Sequence, residues 1–191
     1  FDVADGAYDL QVKLTTDAGV ITAESVRVLI SNWETLKDPI TPPLVHEWFG
    51  TIDRMKTTHA SSGWVFAADR PEDYFGDAGR VLRKEDSPEF LVWHLTQLQR
   101  FTLTLYATGS DIEETVTVSV SSNGDRWTDV PYTVNIAQRS KSSNLLMLEV
   151  MGCIPLQWHA AYLRLLCTGP LDPPLQLGQV LLVGLKDTAL P

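Results

Sequence analysis

Six tryptophans are the side chains of this sequence best suited to hold a ligand. An indole offers a flat apolar surface on which the apolar face of a sugar ring can stack, while polar neighbours bind the hydroxyls. Trp48 and Trp64 lie in polar, loop-like surroundings, and Trp158 lies in a turn region between two cysteine-bearing strands. We predict that these three residues contact a ligand, and a structural role is the alternative for each. Trp93 and Trp127 are predicted to pack in the core.

A second group of candidate binding residues lies in the stretch PEDYFGDAGR, which runs from Pro71 to Arg80. Tyr74 has acidic and basic neighbours there, among them Asp77 and Arg80. Carboxylate and guanidinium groups form directional hydrogen bonds with hydroxyls. We therefore predict that Tyr74, Asp77 and Arg80 bind a ligand. The alternative is a surface loop with ordinary ion pairs, in which Asp77 caps a turn.

The other reactive side chains predict neither catalysis nor a metal centre. The four histidines lack the spacing of zinc ligands, and the two cysteines do not form a CxxC pair. No G-x-S-x-G motif marks a nucleophilic serine. Asp111, Glu113 and Glu114 are predicted to form a solvated turn before a strand rather than a catalytic pair. We therefore expect a protein that is not an enzyme and needs no cofactor.

Cys153 and Cys167 permit one disulfide bond, because the segment between them contains a turn and could place them on neighbouring strands. The alternative is two buried free thiols.

The composition narrows the range of partners. The 191-residue chain carries a formal net charge of −9, which disfavours nucleic acid and anionic membrane surfaces as partners. No apolar run approaches the roughly 20 residues that a membrane-spanning helix needs. We expect an extracellular or cell-surface protein that does not insert into a membrane.

Strand-like alternation predicts an all-β fold. Residues 116–121 read VTVSVS, and Asn123-Gly124 follows as a tight-turn dipeptide. Residues 1–32 are predicted to form a β-hairpin, and the proline-rich residues 33–43 a linker. Residues 44–191 contain many short strands with intervening turns, which predict an antiparallel β-sandwich of the jelly-roll type.

An ordered series of segments resembles the galactose-binding-like β-sandwiches of the carbohydrate-binding-module type, which are attached to secreted polysaccharide-degrading enzymes. The segments are SSGWVF at 61–66, YFGDAGRVLR at 74–83, QRFT at 99–102, SSNGDRWT at 121–128, AYLRL at 161–165 and PLQLGQV at 174–180. The resemblance implies binding of a polysaccharide or other glycan. It also implies a structural calcium, although Gln179 stands in the region where such domains often carry an acidic residue and no carboxylate cluster marks a calcium loop. The leading hairpin is similar to the end of an immunoglobulin-like spacer.

Two functional hypotheses follow. The first is a non-catalytic carbohydrate-binding module that tethers other domains of a larger secreted protein to a glycan. The second is a structural subunit of an extracellular β-rich assembly or filament, in which the N-terminal hairpin completes the sheet of a neighbouring subunit.

Overall fold

The computed structural model describes residues 6–30, 32–48, 50–52, 54–141, 143–169, 171 and 174–186. These residues form strands and two short 3-10 helices, and the chain divides into a unit of residues 1–33 and a unit of residues 34–191. In the described ranges, no helix is long and apolar enough to cross a membrane.

The N-terminal unit contains two antiparallel strand pairs. Its strands are β1 (Gly6–Leu10), β2 (Lys13–Thr16), β3 (Gly19–Thr22) and β4 (Val26–Ile30). β1 pairs with β4 and β2 pairs with β3, both antiparallel. The turn is closed by the hydroxyl of Thr16, which donates a hydrogen bond to the Gly19 carbonyl at 3.1 Å.

The second unit is a β-sandwich. Its strands are β5 (Trp33–Asp38), β6 (Leu44–His46), β7 (Gly50–Ile52), β8 (His59–Ala60), β9 (Trp64–Ala67), β10 (Arg80–Arg83), β11 (Glu89–His94), β12 (Leu98–Ala107), β13 (Val116–Ser121), β14 (Thr128–Asp129), β15 (Thr133–Arg139), β16 (Leu146–Cys153), β17 (Tyr162–Cys167) and β18 (Gln176–Leu185). The 3-10 helices are Pro71–Tyr74 and Leu156–Trp158.

Two antiparallel sheets make up the sandwich, while β6 and β7 pair only with each other. The seven-stranded sheet has the order β15-β16-β12-β18-β10-β9, with β5 also paired to β18, and the five-stranded sheet has the order β14-β13-β17-β11-β8. From β10 to β18 the chain passes repeatedly from one sheet to the other, which is typical of jelly rolls. The predicted all-β sandwich is therefore confirmed.

Alternating apolar residues of both sheets form the core. Leu103 and Leu105 of β12 and Leu163 and Leu165 of β17 are fully buried, as is Trp93 of β11. Trp93 thus lies in the core as the sequence predicts. The residues between the buried ones point away from the core, so the same alternation that builds the core also determines which side chains the outer faces carry.

The segment predicted as a linker contributes to the sandwich unit. β5 pairs with β18, and both Asp38 and Ile40 are completely buried. Asp38 accepts hydrogen bonds from the Trp93 indole at 2.8 Å and from the backbone amides of Lys56 at 2.8 Å and Ile40 at 3.2 Å. The segment is therefore held by the buried Asp38 carboxylate instead of being free in solvent, and Ile40, between the prolines, has a φ of +48° rather than an extended conformation.

The predicted disulfide is not formed, and both cysteines are free thiols. Cys153 ends β16 in one sheet, and residues 154–161 then lead into β17 of the other sheet. Cys167 lies at the far end of β17, about 17 Å along that strand from its first residue. A disulfide needs Cα atoms within roughly 7 Å. Cys153 is exposed, whereas burial of Cys167 raises the pKa of its thiol to about 12.

Glu89, the first residue of β11, forms hydrogen bonds with the loop that precedes β9. Its carboxylate accepts hydrogen bonds from the Gly63 amide at 3.1 Å and from the Ser87 hydroxyl at 2.9 Å. The hydrogen bond from Ser61, together with those from Ser87 and Gly63 and the charge of Arg83, holds the pKa of Glu89 below its ordinary value, against the opposing effect of burial. A Cβ on Gly63 would lie 2.0 Å from the carboxylate, so a larger residue there would have to displace the Glu89 side chain.

The lowered pKa of Glu89 predicts a specific loss of stability in acid. The folded protein favours the ionised carboxylate, so its contribution is present above the unfolded-state pKa and disappears as the pH falls through the lower, folded-state pKa. We expect Glu89→Gln to be less stable than the parent at pH 7 and to lose less stability on acidification. Urea unfolding between pH 7 and pH 3 measures both effects. The exposed neighbour Glu85, changed to Gln, is the control, and equal acid slopes for the parent and Glu89→Gln would contradict the assignment.

Candidate functional site

The outer face of the five-stranded sheet carries the candidate site. On β17 the buried Leu163 and Leu165 alternate with Tyr162 and Arg164, which point outward. The strand registers place two rows of residues on this face: Ser121, Tyr162 and His94 in one row, and Asp129, Ser119, Arg164, Val92 and His59 in the other. Polar and aromatic side chains from five strands therefore converge on one surface.

The loop between β13 and β14 forms one wall of this surface. Ser121 accepts a hydrogen bond from the Gly124 amide at 2.9 Å, and the side-chain oxygen of Asn123 accepts one from the Asp125 amide at 3.1 Å. Gly124 has a φ of +84°, a conformation that favours glycine. The Asn-Gly signal thus lies in a longer loop of six residues. This loop places Trp127 beside the outer face.

Trp127 packs on Arg164 and not between the sheets. The guanidinium carbon lies 4.5 Å from the centroid of the indole, and Trp127 is half-buried. The prediction of a core position is therefore corrected. Trp127 comes just before β14, outside the alternation of the neighbouring strand, so it is free to cover the outward-facing arginine.

Together the sheet and this loop enclose a groove of about 450 Å³. We call it the Trp127 groove. It is lined by His59, Phe90, Val92, Asn123, Gly124, Asp125, Trp127, Tyr162 and Arg164. The rings of Phe90, Trp127 and Tyr162 thus border the same space as an imidazole, a carboxylate, a guanidinium and an amide. This is the mixture of apolar and directional groups found in small-molecule sites.

Hydrogen bonds orient the polar groups beneath the Trp127 groove. Arg164 donates through Nη2 to the Ser119 hydroxyl at 3.4 Å, and that hydroxyl donates to Oδ1 of Asp129 at 2.8 Å. The ring of Tyr162 lies against His94, with centroids 4.8 Å apart. Because the Tyr162 ring contacts His94, it is held in position. It forms a second aromatic wall of the groove, in addition to the indole of Trp127.

The predicted binding residues Tyr74, Asp77 and Arg80 do come together, but in a network that supports a loop. Arg80 is completely buried and donates through Nε to Gln176 at 2.9 Å. Its other nitrogens donate to the carbonyls of Asp69, at 2.7 Å, and Asp77. Its guanidinium carbon lies 3.8 Å from the centre of the Tyr74 ring. A guanidinium so placed serves the loop rather than a ligand.

Asp77 and Tyr74 also have partners within the protein. Asp77 accepts hydrogen bonds from the Tyr106 hydroxyl at 2.8 Å and the Gly79 amide at 2.9 Å. Tyr74 accepts one from Gln176 at 2.6 Å. Burial, reinforced by Asp77, raises the pKa of Tyr106 well above its ordinary value. The turn-capping alternative for Asp77 agrees with these contacts.

The three predicted tryptophans lie in different surroundings. Trp48, which follows β6, is 86% exposed. Trp64 is half-buried on β9, packs on the core and donates from its indole to the Phe90 carbonyl at 3.0 Å. Trp158 is likewise half-buried against the core. None of the three lines the Trp127 groove. Tyr162 and Arg164 could have been noticed as the outward residues of an alternating strand, but only tertiary pairing brings His59 beside them.

Among the residues that the structure describes, no three histidine, cysteine, aspartate or glutamate side chains are grouped so that they could hold a metal ion.

Comparisons with known proteins assign no family to this chain, so a proposal for its function has to be argued from the geometry described above. No protein-family model matches the sequence. No curated protein matches it.

Proposed function

We propose that residues 34–191 form a non-catalytic carbohydrate-binding module of an extracellular or cell-surface protein. The observation that carries the proposal is the Trp127 groove, in which Trp127 and Tyr162 stand beside Arg164, Asn123 and Asp125. Indole and phenol rings stack on the apolar faces of sugars, and the polar groups bind hydroxyls. The β-sandwich, and the resemblance of its segments to galactose-binding-like modules, support the same conclusion.

The charged groups of the groove favour binding over hydrolysis. Glycosidases use two carboxyl groups placed on either side of the scissile bond. Of the described residues that line the Trp127 groove, only Asp125 carries a carboxyl group. We therefore propose a module that brings a polysaccharide or other glycan close to the partner domains of a larger secreted protein and raises their local concentration.

Replacing Trp127 tests the proposal most directly. We expect Trp127→Ala to weaken glycan binding at least tenfold, which is about 1.4 kcal/mol, because the main stacking surface is lost. Affinity electrophoresis against plant, fungal and bacterial polysaccharides, followed by calorimetry on those that retard the protein, measures the change.

Trp48→Ala is the matched control, because it removes an exposed indole that does not line the groove. It should leave the affinity unchanged. Binding that depends on Trp48 and not on Trp127 would place the site at the residues predicted from sequence and contradict the groove. No retardation by any polysaccharide would overturn the proposed function.

A second candidate function, a structural subunit of an extracellular assembly, is favoured by the N-terminal unit. Its side chains Leu10, Val12, Leu14, Val20 and Val26 are apolar and largely exposed, and exposed apolar strands can add to another sheet. In this candidate the hairpin completes a neighbour's sheet. A monodisperse monomer of the full chain in size-exclusion chromatography with light scattering would contradict it.

A further inference from the structure

Arg164 is half-buried, and it differs from the buried Arg80 in how few protein partners it has. A guanidinium carries five N–H donors. Arg80 directs all three of its nitrogens to Gln176 and to two carbonyls. Within the described part of the chain, Arg164 makes one long hydrogen bond, to Ser119, and no ion pair with a carboxylate.

The Nε of Arg164 strengthens this contrast. It is buried and has no hydrogen-bond partner among the described residues, although buried donors in proteins are ordinarily paired. The stacked Trp127 holds the guanidinium in place at the groove. The protein therefore presents a fixed cation whose hydrogen-bonding capacity is mostly unused.

We propose, on the basis of the function proposed above, that the Trp127 groove takes a sugar carrying an anionic oxygen group, in the first place the carboxylate of a uronic acid, and that Arg164 binds this group. The planar guanidinium matches the two oxygens of a carboxylate. The sugar ring lies against Trp127 and Tyr162, and Asn123 and Asp125 are placed to bind its hydroxyls.

The surrounding charges favour isolated acidic units over a dense polyanion. The groove has one guanidinium and the carboxylate of Asp125, and the whole chain has a net charge of −9. A polymer with an anionic group on every sugar would be repelled by this field. A single acidic sugar in an otherwise neutral glycan places one charge beside Arg164 and avoids the repulsion.

Calorimetry on the full chain with matched sugars tests the proposal. The probes are the methyl glycosides of glucuronic and galacturonic acid, the corresponding glucosides and galactosides, and their 6-sulfates. We expect at least one uronide to bind ten times more tightly than its neutral counterpart. Arg164→Met should remove this preference, so that the uronide and its neutral counterpart bind with affinities within about twofold of each other. Arg126→Met is the control. It removes an exposed positive charge from the β13–β14 loop and should keep the preference for the uronide.

Arg164→Lys is a second, more conservative variant, which is less open to a folding defect. It keeps the positive charge but lacks the planar guanidinium group. We expect its preference for the uronide to lie between those of the parent protein and Arg164→Met. Equal binding of uronides and neutral sugars by the parent protein would overturn this inference and leave the proposed function standing. Tighter binding of the 6-sulfates would overturn the assignment to a carboxylate, and an undiminished uronide preference in Arg164→Met would overturn the role of Arg164. Binding of none of these sugars, with none of the polysaccharides retarding the protein, would overturn both proposals.

Discussion

Replacing Asp38 by alanine should lower the free energy of unfolding of the sandwich unit by about 2–5 kcal/mol. The substitution removes the acceptor of the Trp93 indole and of the Ile40 amide, and both residues are completely buried. Donors left unpaired inside the protein have lost their water without replacement, so each carries the full cost of desolvation. Equilibrium unfolding in urea, followed by tryptophan fluorescence, measures the loss.

Two comparisons separate this effect from a general loss of packing. Asp38→Asn keeps an oxygen that can accept one of the hydrogen bonds, so it should lose less stability than Asp38→Ala. In a double-mutant cycle with Trp93→Phe, the two substitutions should be less destabilising together than the sum of the single changes. Strict additivity would show that Asp38 and Trp93 do not stabilise each other. The exposed neighbour Lys37, changed to alanine, should change little.

Arg80→Met should destabilise the same unit by about 2–4 kcal/mol. The methionine can occupy much of the volume, but it leaves Gln176 and the carbonyls of Asp69 and Asp77 without their donor. The segment from Asp69 to Gly79 would then lose its connection to β18 through Arg80 and keep the hydrogen bond between Gln176 and Tyr74. Thermal unfolding measures the loss in stability, and limited proteolysis should show new cleavage within residues 69–79.

Arg70→Met provides the matched control for Arg80, because both arginines contact Asp69. The side chain of Arg70 is 68% exposed, and it pairs with Asp69 and Asp73 at 3.5 Å. Exposed ion pairs contribute little to stability, so we expect a change of less than about 0.5 kcal/mol. Similar losses from the two substitutions would show that the network around Arg80 has no special role.

Local sequence patterns were sufficient to predict the fold. The alternation of Val116, Val118 and Val120 with small polar residues predicts a strand with one buried face, and all three valines are in the core. Such patterns depend on the period of the strand and on one buried face. They are therefore readable without knowing which strands will be neighbours.

Residues 33–43 show which contacts local sequence patterns cannot predict. Prolines at 39, 42 and 43 indicate an extended chain, and a linker is the simplest interpretation. The decisive contact is the one between Asp38 and Trp93, which are 55 residues apart. A single sequence gives no sign of that pairing, so the burial of Asp38 could not be predicted.

The candidate site could not be assembled from sequence for a related reason. Tyr74, Asp77 and Arg80 lie close together in sequence and in the structure, but the acceptors that occupy Arg80 include Gln176, 96 residues away. Trp127, Tyr162 and His59 are far apart in sequence and meet through strand register and the β13–β14 loop. A stretch rich in polar groups can therefore be structural, while a binding surface can be scattered along the chain.

The position of β18 in the seven-stranded sheet determines when this sheet can close during synthesis of the chain. β18 pairs with β12, β10 and β5, although it is made after all the other described strands. β5 ends at residue 38 and β18 begins at residue 176, so the partner of β5 emerges from the ribosome 138 residues later. Until then the sheet consists of two separate groups, β15-β16-β12 and β10-β9, whose inner edges have no partner strand. The sandwich unit therefore depends on β18 to close this sheet, and the facing edges of β12 and β10 stay open to other chains until β18 has been made.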